Sequence, residues 1–337
     1  LGVGAQMMRG RSGQALWDDT IRLGIELRKK IRELHREFEA TQEDPARRWF
    51  FDPFVPDFVA LDGRTQRWED TPTDVLARDA RCWELAPGKR WHGFTQLAPG
   101  YAMTDPNKLT LLTPGFARET GHYAEHGVPA AVLAQFLRER QIVPEKNDLN
   151  SILFLLTPGL ESTKAGTLLS ALVRFKQLHD DNALLDEVIP AFVAAHRARY
   201  AGLGLRDLCG QMQRFYRERD VCRLQREQFR AGHFPKAALT PQQAMHELVR
   251  NNVELLPIDR IGGRIAATLP LVYPPGIGVV VPGERFDERP QPMLDYFRMF
   301  EEGGNRFPGF ESEIQVIYRK AEEDGTVRLY TYVLTEP

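Results

Sequence analysis

PEKNDLNSILFLLTPG, running from Pro144 to Gly159, is the stretch whose reading decides the fold. A cluster of polar residues (Glu145, Lys146, Asn147, Asp148, Asn150 and Ser151) stands directly before the apolar run Ile152–Leu156. A short apolar run closed by Thr-Pro-Gly reads as a buried strand. A carboxylate at the mouth of a buried strand suits recognition of a cationic group. A polar loop leading into a core strand accounts for the same pattern, and the residues alone leave both open.

Working outward, the neighbouring segments alternate in type. Lys108–Thr113 reads as a strand, and Pro129–Gln141 as a helix with Pro129 at its first position. Ile152–Leu156 follows as a strand. Thr167–Leu178 then reads as a helix through Leu168, Leu172 and Phe175. Strand, helix, strand, helix is an α/β or α+β signature. Further upstream, Leu16, Leu23, Leu27, Leu34 and Phe38 fall on one face of a helix reaching about Phe38. Arg28, Lys29, Lys30, Glu33, Arg36 and Glu37 make up a charged face that reads as solvated. Between Pro45 and Gly100 the chain is poorly periodic, with Asp52–Val59 extended or looped. Trp49, Trp68, Trp83 and Trp91 read as packing residues.

Near Gly202–Gly204 the pattern shifts, which suggests a domain boundary. Leu205–Arg230 reads as one long helix with Leu208, Met212 and Phe215 on one face. Thr240-Pro241-Gln242-Gln243 carries a helix start with a capping box. Val253–Ile258, Arg264–Val272 and Gly278–Val281 read as strands, and Gln291–Glu302 as a helix closed by Gly303. Ile314–Tyr318 and Val327–Val333 flank Asp324-Gly325, a hairpin signal. The last part is therefore a second, α+β unit.

Composition narrows the function classes. The 337 residues are 42% hydrophobic and 27% charged, ordinary for a globular chain of one large domain or two smaller ones. A net charge of −2 points to neither a nucleic-acid nor a membrane partner. Cys82, Cys209 and Cys222 are too scattered for a metal or disulfide pattern, which fits a reducing, cytoplasmic setting. No apolar stretch approaches the roughly 18 residues of a membrane span, and the first residues hold no signal-peptide core.

His122-Tyr123-Ala124-Glu125-His126 matches H-x-x-E-H, the inverted zinc-peptidase motif. On a helix both histidines would share a face, with Glu125 as base. Gly121 before it, and Gly127 and Pro129 after it, instead suggest a loop, so no metal ligand is assigned. There is no nucleophile elbow, P-loop or dinucleotide fingerprint.

The Pro144–Gly159 stretch resembles the bacterial ornithine/lysine/arginine decarboxylases, enzymes that use pyridoxal 5'-phosphate (PLP). DPNKLTLLTPG at Asp105–Gly115 and HGVPAAVLAQFLRERQIVPEKNDLNS at His126–Ser151 share the resemblance. So do GRIAATLPLVYPPGIGVVVPGE at Gly263–Glu284 and FPGFESEIQ at Phe307–Gln315. These segments stand in family order and span nearly the whole chain.

The resemblance implies the carboxyl-terminal portion of a fold-type-I PLP enzyme, α/β and α+β in class. LGVGAQMMRGRSG at Leu1–Gly13 is similar to the family's chain just after its catalytic domain. On this reading residues 1–40 are the tail of the catalytic domain and a connecting helix. Residues 41–203 form a small α/β domain, and 204–337 a C-terminal α+β domain. The family's cofactor lysine lies in a Ser-x-His-Lys-type motif, and no lysine here follows a histidine. The resemblance therefore places that lysine outside this chain, leaving no catalytic residue to assign and the chain alone inactive.

The family's Glu of a matching Glu-Lys pair binds the distal ammonium of the substrate, and Glu145 falls on it. Lys146 matches the second position and is not the imine-forming lysine. Asn147, Asp148 and Ser151, with Asn150, are expected to shape the substrate pocket; Asn, Asp and Ser also form turns and caps everywhere. NDLNS resembles the ornithine branch, with lysine or arginine as alternative substrates. The expected partners are a small basic amino acid and further copies of the chain, as a homodimer or rings of dimers. A non-catalytic module that pairs with an intact decarboxylase is the alternative of another class. The turns Tyr273–Gly276 and Pro282–Glu284 either border an active-site entrance or simply fix strand connections.

Overall fold

A computed structural model describes residues 2–94, 96–273, 276–286, 292–311 and 313–335. The chain divides into two compact units, 1–194 with 200–213, and 195–199 with 214–337.

The first unit opens with the helix Gly2–Met7 and the long helix Gly10–Thr41. The long helix holds strong helix formers and no proline, and it stops where Gln42 turns extended ahead of Pro45. Its buried face differs from the expected one. Leu27 is buried, but Leu16, Leu23, Leu34 and Phe38 are only half-buried, and the face centres on Gly24, Ile25, Arg28, Ile31 and Arg32. Arg28 therefore leaves the solvated face assigned to it. Its guanidinium donates to Gly24 O at 3.0 Å and Lys108 O at 2.9 Å, and lies 5.2 Å from the Trp83 ring centre. The guanidinium fork supplies enough donors for an arginine to be buried among carbonyls, which charge patterning alone does not reveal.

Four short strands form an antiparallel sheet in the order Asp52–Pro53, Lys108–Leu112, Ser151–Leu155, Lys146–Asn147. The central strand is buried on one face only. Ile152 and Phe154 are buried, whereas Leu155 is 48% exposed. An antiparallel sheet can cover one face with helices and leave the other open, so an unbroken apolar run overstates burial here. The helix Ala130–Arg138 packs against the two strands of this end, with Pro129 as its N-cap rather than its first residue. The helix Ser162–Asp180 follows the sheet. A hairpin, Phe58–Leu61 with Arg64–Arg67, turns through Asp62-Gly63, both in the left-handed region. Trp68 and Trp83 are buried beside it with Ile25, Val55 and Leu76.

The expected helix Leu205–Arg230 is two helices, Leu205–Glu218 and Val221–Glu227, separated at Asp220 with φ +46°. Aspartate tolerates the left-handed conformation better than most residues, and the apolar period restarts at Val221 and Leu224.

The second unit is built on the antiparallel sheet Val253–Pro257, Val327–Leu334, Tyr318–Ala321. Asp324-Gly325 closes the hairpin between its last two strands. Phe286, Met293 and Phe297 pack against the sheet around Val333 of its central strand. Thr240 caps the helix Pro241–Val249 with the reciprocal Gln243 bonds that the sequence spells out. Three expected elements differ. Strand pairing within Arg264–Val272 is confined to Leu271–Tyr273 and to isolated bridges at Ile265 and Ala266, and within Gly278–Val281 to Ile277–Gly278. Ile314–Tyr318 splits between two sheets, because Val316 adopts φ +63° between Glu313–Gln315 and Tyr318–Ala321. The helix Pro292–Arg306 runs through Gly303 instead of stopping there; a Cβ on Gly303 would lie 3.2 Å from the Phe215 ring, so glycine serves close packing. Gln291, with which that helix was expected to begin, lies outside the described residues.

Candidate functional site

The segment Glu145–Ser151 folds as a tight hairpin at the sheet edge. Lys146 pairs with Leu153 and Asn147 with Ile152, and Asp148 N–H donates to Ser151 O at 2.9 Å, leaving Leu149-Asn150 as the tip. The tip is tied down on three sides. Leu149 is 6% exposed and its carbonyl accepts Ala130 N–H at 3.0 Å. Asn150 O accepts Thr113 N–H at 3.0 Å, and Asn150 Nδ2 donates to Tyr123 Oη at 2.9 Å.

The candidate residues do not converge on one point. Side chains alternate along a strand, so Asp148 and Ser151 share one side of the hairpin with Lys146 and Asn147 faces the other, while Glu145 sits at a bend just before the strand. Asn147 Oδ1 accepts from Arg138 at 3.2 Å. Glu145 is exposed, with its backbone N–H on Leu153 O at 2.9 Å. Desolvation of its carboxyl raises Asp148 above its usual range, against the bond from Leu149 N–H, although the residue as a whole is exposed. Arg138 and Tyr123, which brace the hairpin, carry no signal in the local sequence that would single them out.

The H-x-x-E-H segment is not helical. His122-Tyr123 pairs with Phe116-Ala117, so His122 points outward beside a buried Tyr123, and His126 lies exposed beyond the strand. The shared helical face that zinc binding would need is not formed. At Pro282–Glu284 the turn does fix a strand connection. Gly283 O accepts Ala238 and Leu239 N–H, and the Glu284 carboxylate accepts Val281 N–H. Pro274 and Pro275 of the other turn lie outside the described residues.

A cofactor that forms an imine needs a lysine with an open approach. Lys176 is the buried lysine of this chain, and its ammonium is held by a carboxylate, a carbonyl and two aromatic rings. It meets Asp180 at 2.6 Å and Arg47 O at 2.9 Å, and lies 4.6 and 4.7 Å from the ring centres of Phe38 and Trp49. The other lysines are exposed or half-buried. The residues of this chain do not by themselves fit a PLP cradle, and no catalytic step is assigned to them. No helix among the described residues is long and apolar enough to cross a membrane.

The fold of this chain is shared with known amino-acid decarboxylases. Escherichia coli constitutive lysine decarboxylase matches with a TM-score of 0.82 at 32% identity, over 99% of this chain and 42% of that one. Lysine decarboxylase A from Pseudomonas aeruginosa matches at 0.84 and 32%, over 99% and 41%. Residues 1–164 match the Orn/Lys/Arg decarboxylase major domain, and residues 222–335 the Orn/Lys/Arg decarboxylase C-terminal domain. The chain belongs to the Orn/Lys/Arg decarboxylase family. It is 44% identical to the constitutive ornithine decarboxylase of Escherichia coli K12 over 99% of its length, and 41% identical to the inducible enzyme of the same strain, also over 99%. Identity to the biodegradative arginine decarboxylase of that strain is 35% over 93% of this chain. The chain spans less than half the length of these relatives, 44%, 43% and 41% respectively.

Proposed function

We propose that this chain forms the substrate-recognising and C-terminal portions of a PLP-dependent decarboxylase of basic amino acids, acting on ornithine to give putrescine in polyamine metabolism. What supports ornithine over lysine or arginine is the higher identity to the ornithine enzymes along almost the entire chain. In this reading the cofactor is held by residues outside this chain and supplies the electron sink for loss of carbon dioxide. The chain's own task is to select and orient. Glu145 provides the anionic partner of the distal ammonium, and the hairpin that carries Asn147 on one side and Asp148 and Ser151 on the other sets where Glu145 stands and so how far that ammonium reaches. A charge-assisted hydrogen bond is strong only where water is excluded, so the exposed Glu145 needs a covering surface from elsewhere in the assembled enzyme. The assembled enzyme is a cytoplasmic homodimer or ring of dimers, with residues 1–40, 41–203 and 204–337 as its successive parts here.

Glu145→Gln in the intact enzyme tests the reading. Loss of the charge partner lowers ornithine kcat/KM by about a hundredfold, the scale expected when a buried charge loses its counter-ion. An unchanged kcat/KM refutes the assignment. The enclosure of Lys176 supports a second reading, a non-catalytic partner of an intact decarboxylase. Such a module would co-purify with that enzyme and turn over nothing itself.

A further inference from the structure

We infer that Tyr123 is a positioning residue for substrate length, holding the recognition hairpin in register through Asn150; this rests on the proposed role of that hairpin. The H-x-x-E-H stretch then has a purpose unrelated to metal. Its tyrosine is only 9% exposed, its ring lies 5.2 Å from that of Phe116, and its hydroxyl receives the Asn150 side-chain amide at 2.9 Å.

The segment that presents Tyr123 is itself clamped. Gln213 is 2% exposed, and its Nε2 donates to Gly115 O at 2.6 Å and to Ala124 O at 3.2 Å. Ala124 N–H also returns to Gly115 O at 2.9 Å. Gly115 has φ +102° and a Cβ there would meet the Gly127 backbone, so that position requires glycine, and a Cβ on Gly127 would press on the Gln213 side-chain amide at 2.6 Å. A buried clamp therefore fixes a short strand pair, and that pair fixes the hairpin tip. The Asn150 side chain links the tip to this segment, and the tip's backbone is held besides by Thr113 and Ala130.

A hairpin whose tip shifts by a few tenths of an ångström carries the strand Lys146–Asn147 and Glu145 just before it along with it, because Asp148 pairs directly with Ser151 across the tip. Such a shift changes which chain length fits without removing any reacting group. The signature is a change in KM and in substrate preference with kcat preserved.

The experiment compares Tyr123→Phe, Asn150→Ala, the double variant and Glu145→Gln in the full-length enzyme, with ornithine and lysine as substrates. Tyr123→Phe keeps the ring and deletes only the hydroxyl. It raises ornithine KM about fivefold, the scale of one hydrogen bond, with kcat within about twofold. It also narrows the preference for ornithine over lysine, and its effect is not additive with Asn150→Ala. Unchanged ornithine KM and preference in both single variants, or additive effects in the double, overturn the brace. If Glu145→Gln is impaired while the Tyr123 and Asn150 variants are not, the brace alone fails. If Glu145→Gln is also unaffected, the recognition reading on which it rests fails with it.

Discussion

Lys176 Nζ lies 2.6 Å from Asp180 Oδ2, one turn further along the same helix, with 1% of the lysine side chain exposed. The pair is enclosed by Phe38 and Trp49, and Arg47 and Arg206 both donate to the Asp180 carbonyl at the helix end. Removing one partner of a buried pair strands the other charge. Asp180→Ala is expected to destabilise the first unit by about 3 kcal/mol, measured by urea unfolding. Lys176→Met combined with Asp180→Ala recovers part of that loss; full additivity would show that the two charges are uncoupled.

His179 makes stability pH-dependent. Burial lowers its imidazole pKa below the usual value of about 6.5, reinforced by Arg206 and Lys176 and countered by Asp180 at 3.8 Å. The unfolded chain then binds a proton more readily than the folded one. The stabilising contribution is complete above about pH 6.5 and is lost as the pH falls below that value through the depressed pKa. The wild-type Tm is expected to drop between pH 7.5 and pH 5 more steeply than that of His179→Gln. Parallel curves would remove His179 from the account.

Gly283 has φ +91°, and a Cβ there would lie 2.5 Å from Leu239 O. Gly283→Ala combines backbone strain with a clash against rigid main chain. A loss of about 2 kcal/mol or more in chemical denaturation of the second unit is expected. A loss under half of that would mean the turn can relax.

Glu125 is exposed on a non-helical segment. Glu125→Gln is expected to leave kcat/KM of the intact enzyme within about twofold, as for a surface substitution. A large loss, together with zinc in the purified protein, would restore the hydrolase motif.

Local physics made much of this chain readable from sequence. The apolar periods mark the helices Gly10–Thr41 and Ser162–Asp180, and the Thr240/Gln243 capping box fixes a helix start to the residue. These signals lie within a few residues of one another, so no distant partner is needed to interpret them. The motifs in family order likewise carry the family, and with it the interest in Glu145–Ser151. Tertiary structure decided what depends on distant partners. Arg28 is buried because Lys108 O receives its guanidinium from 80 residues away, and Asn150 is held because Tyr123, 27 residues earlier, reaches its amide. Ile314–Tyr318 reads as one strand, yet two sheets compete for it and the backbone turns at Val316. Sequence could propose Glu145, Asn147, Asp148 and Ser151 together. Only the pairing of Lys146-Asn147 with Ile152-Leu153 determined that Asn147 faces away from Asp148 and Ser151, since a strand's side chains alternate and their register is set by the neighbour.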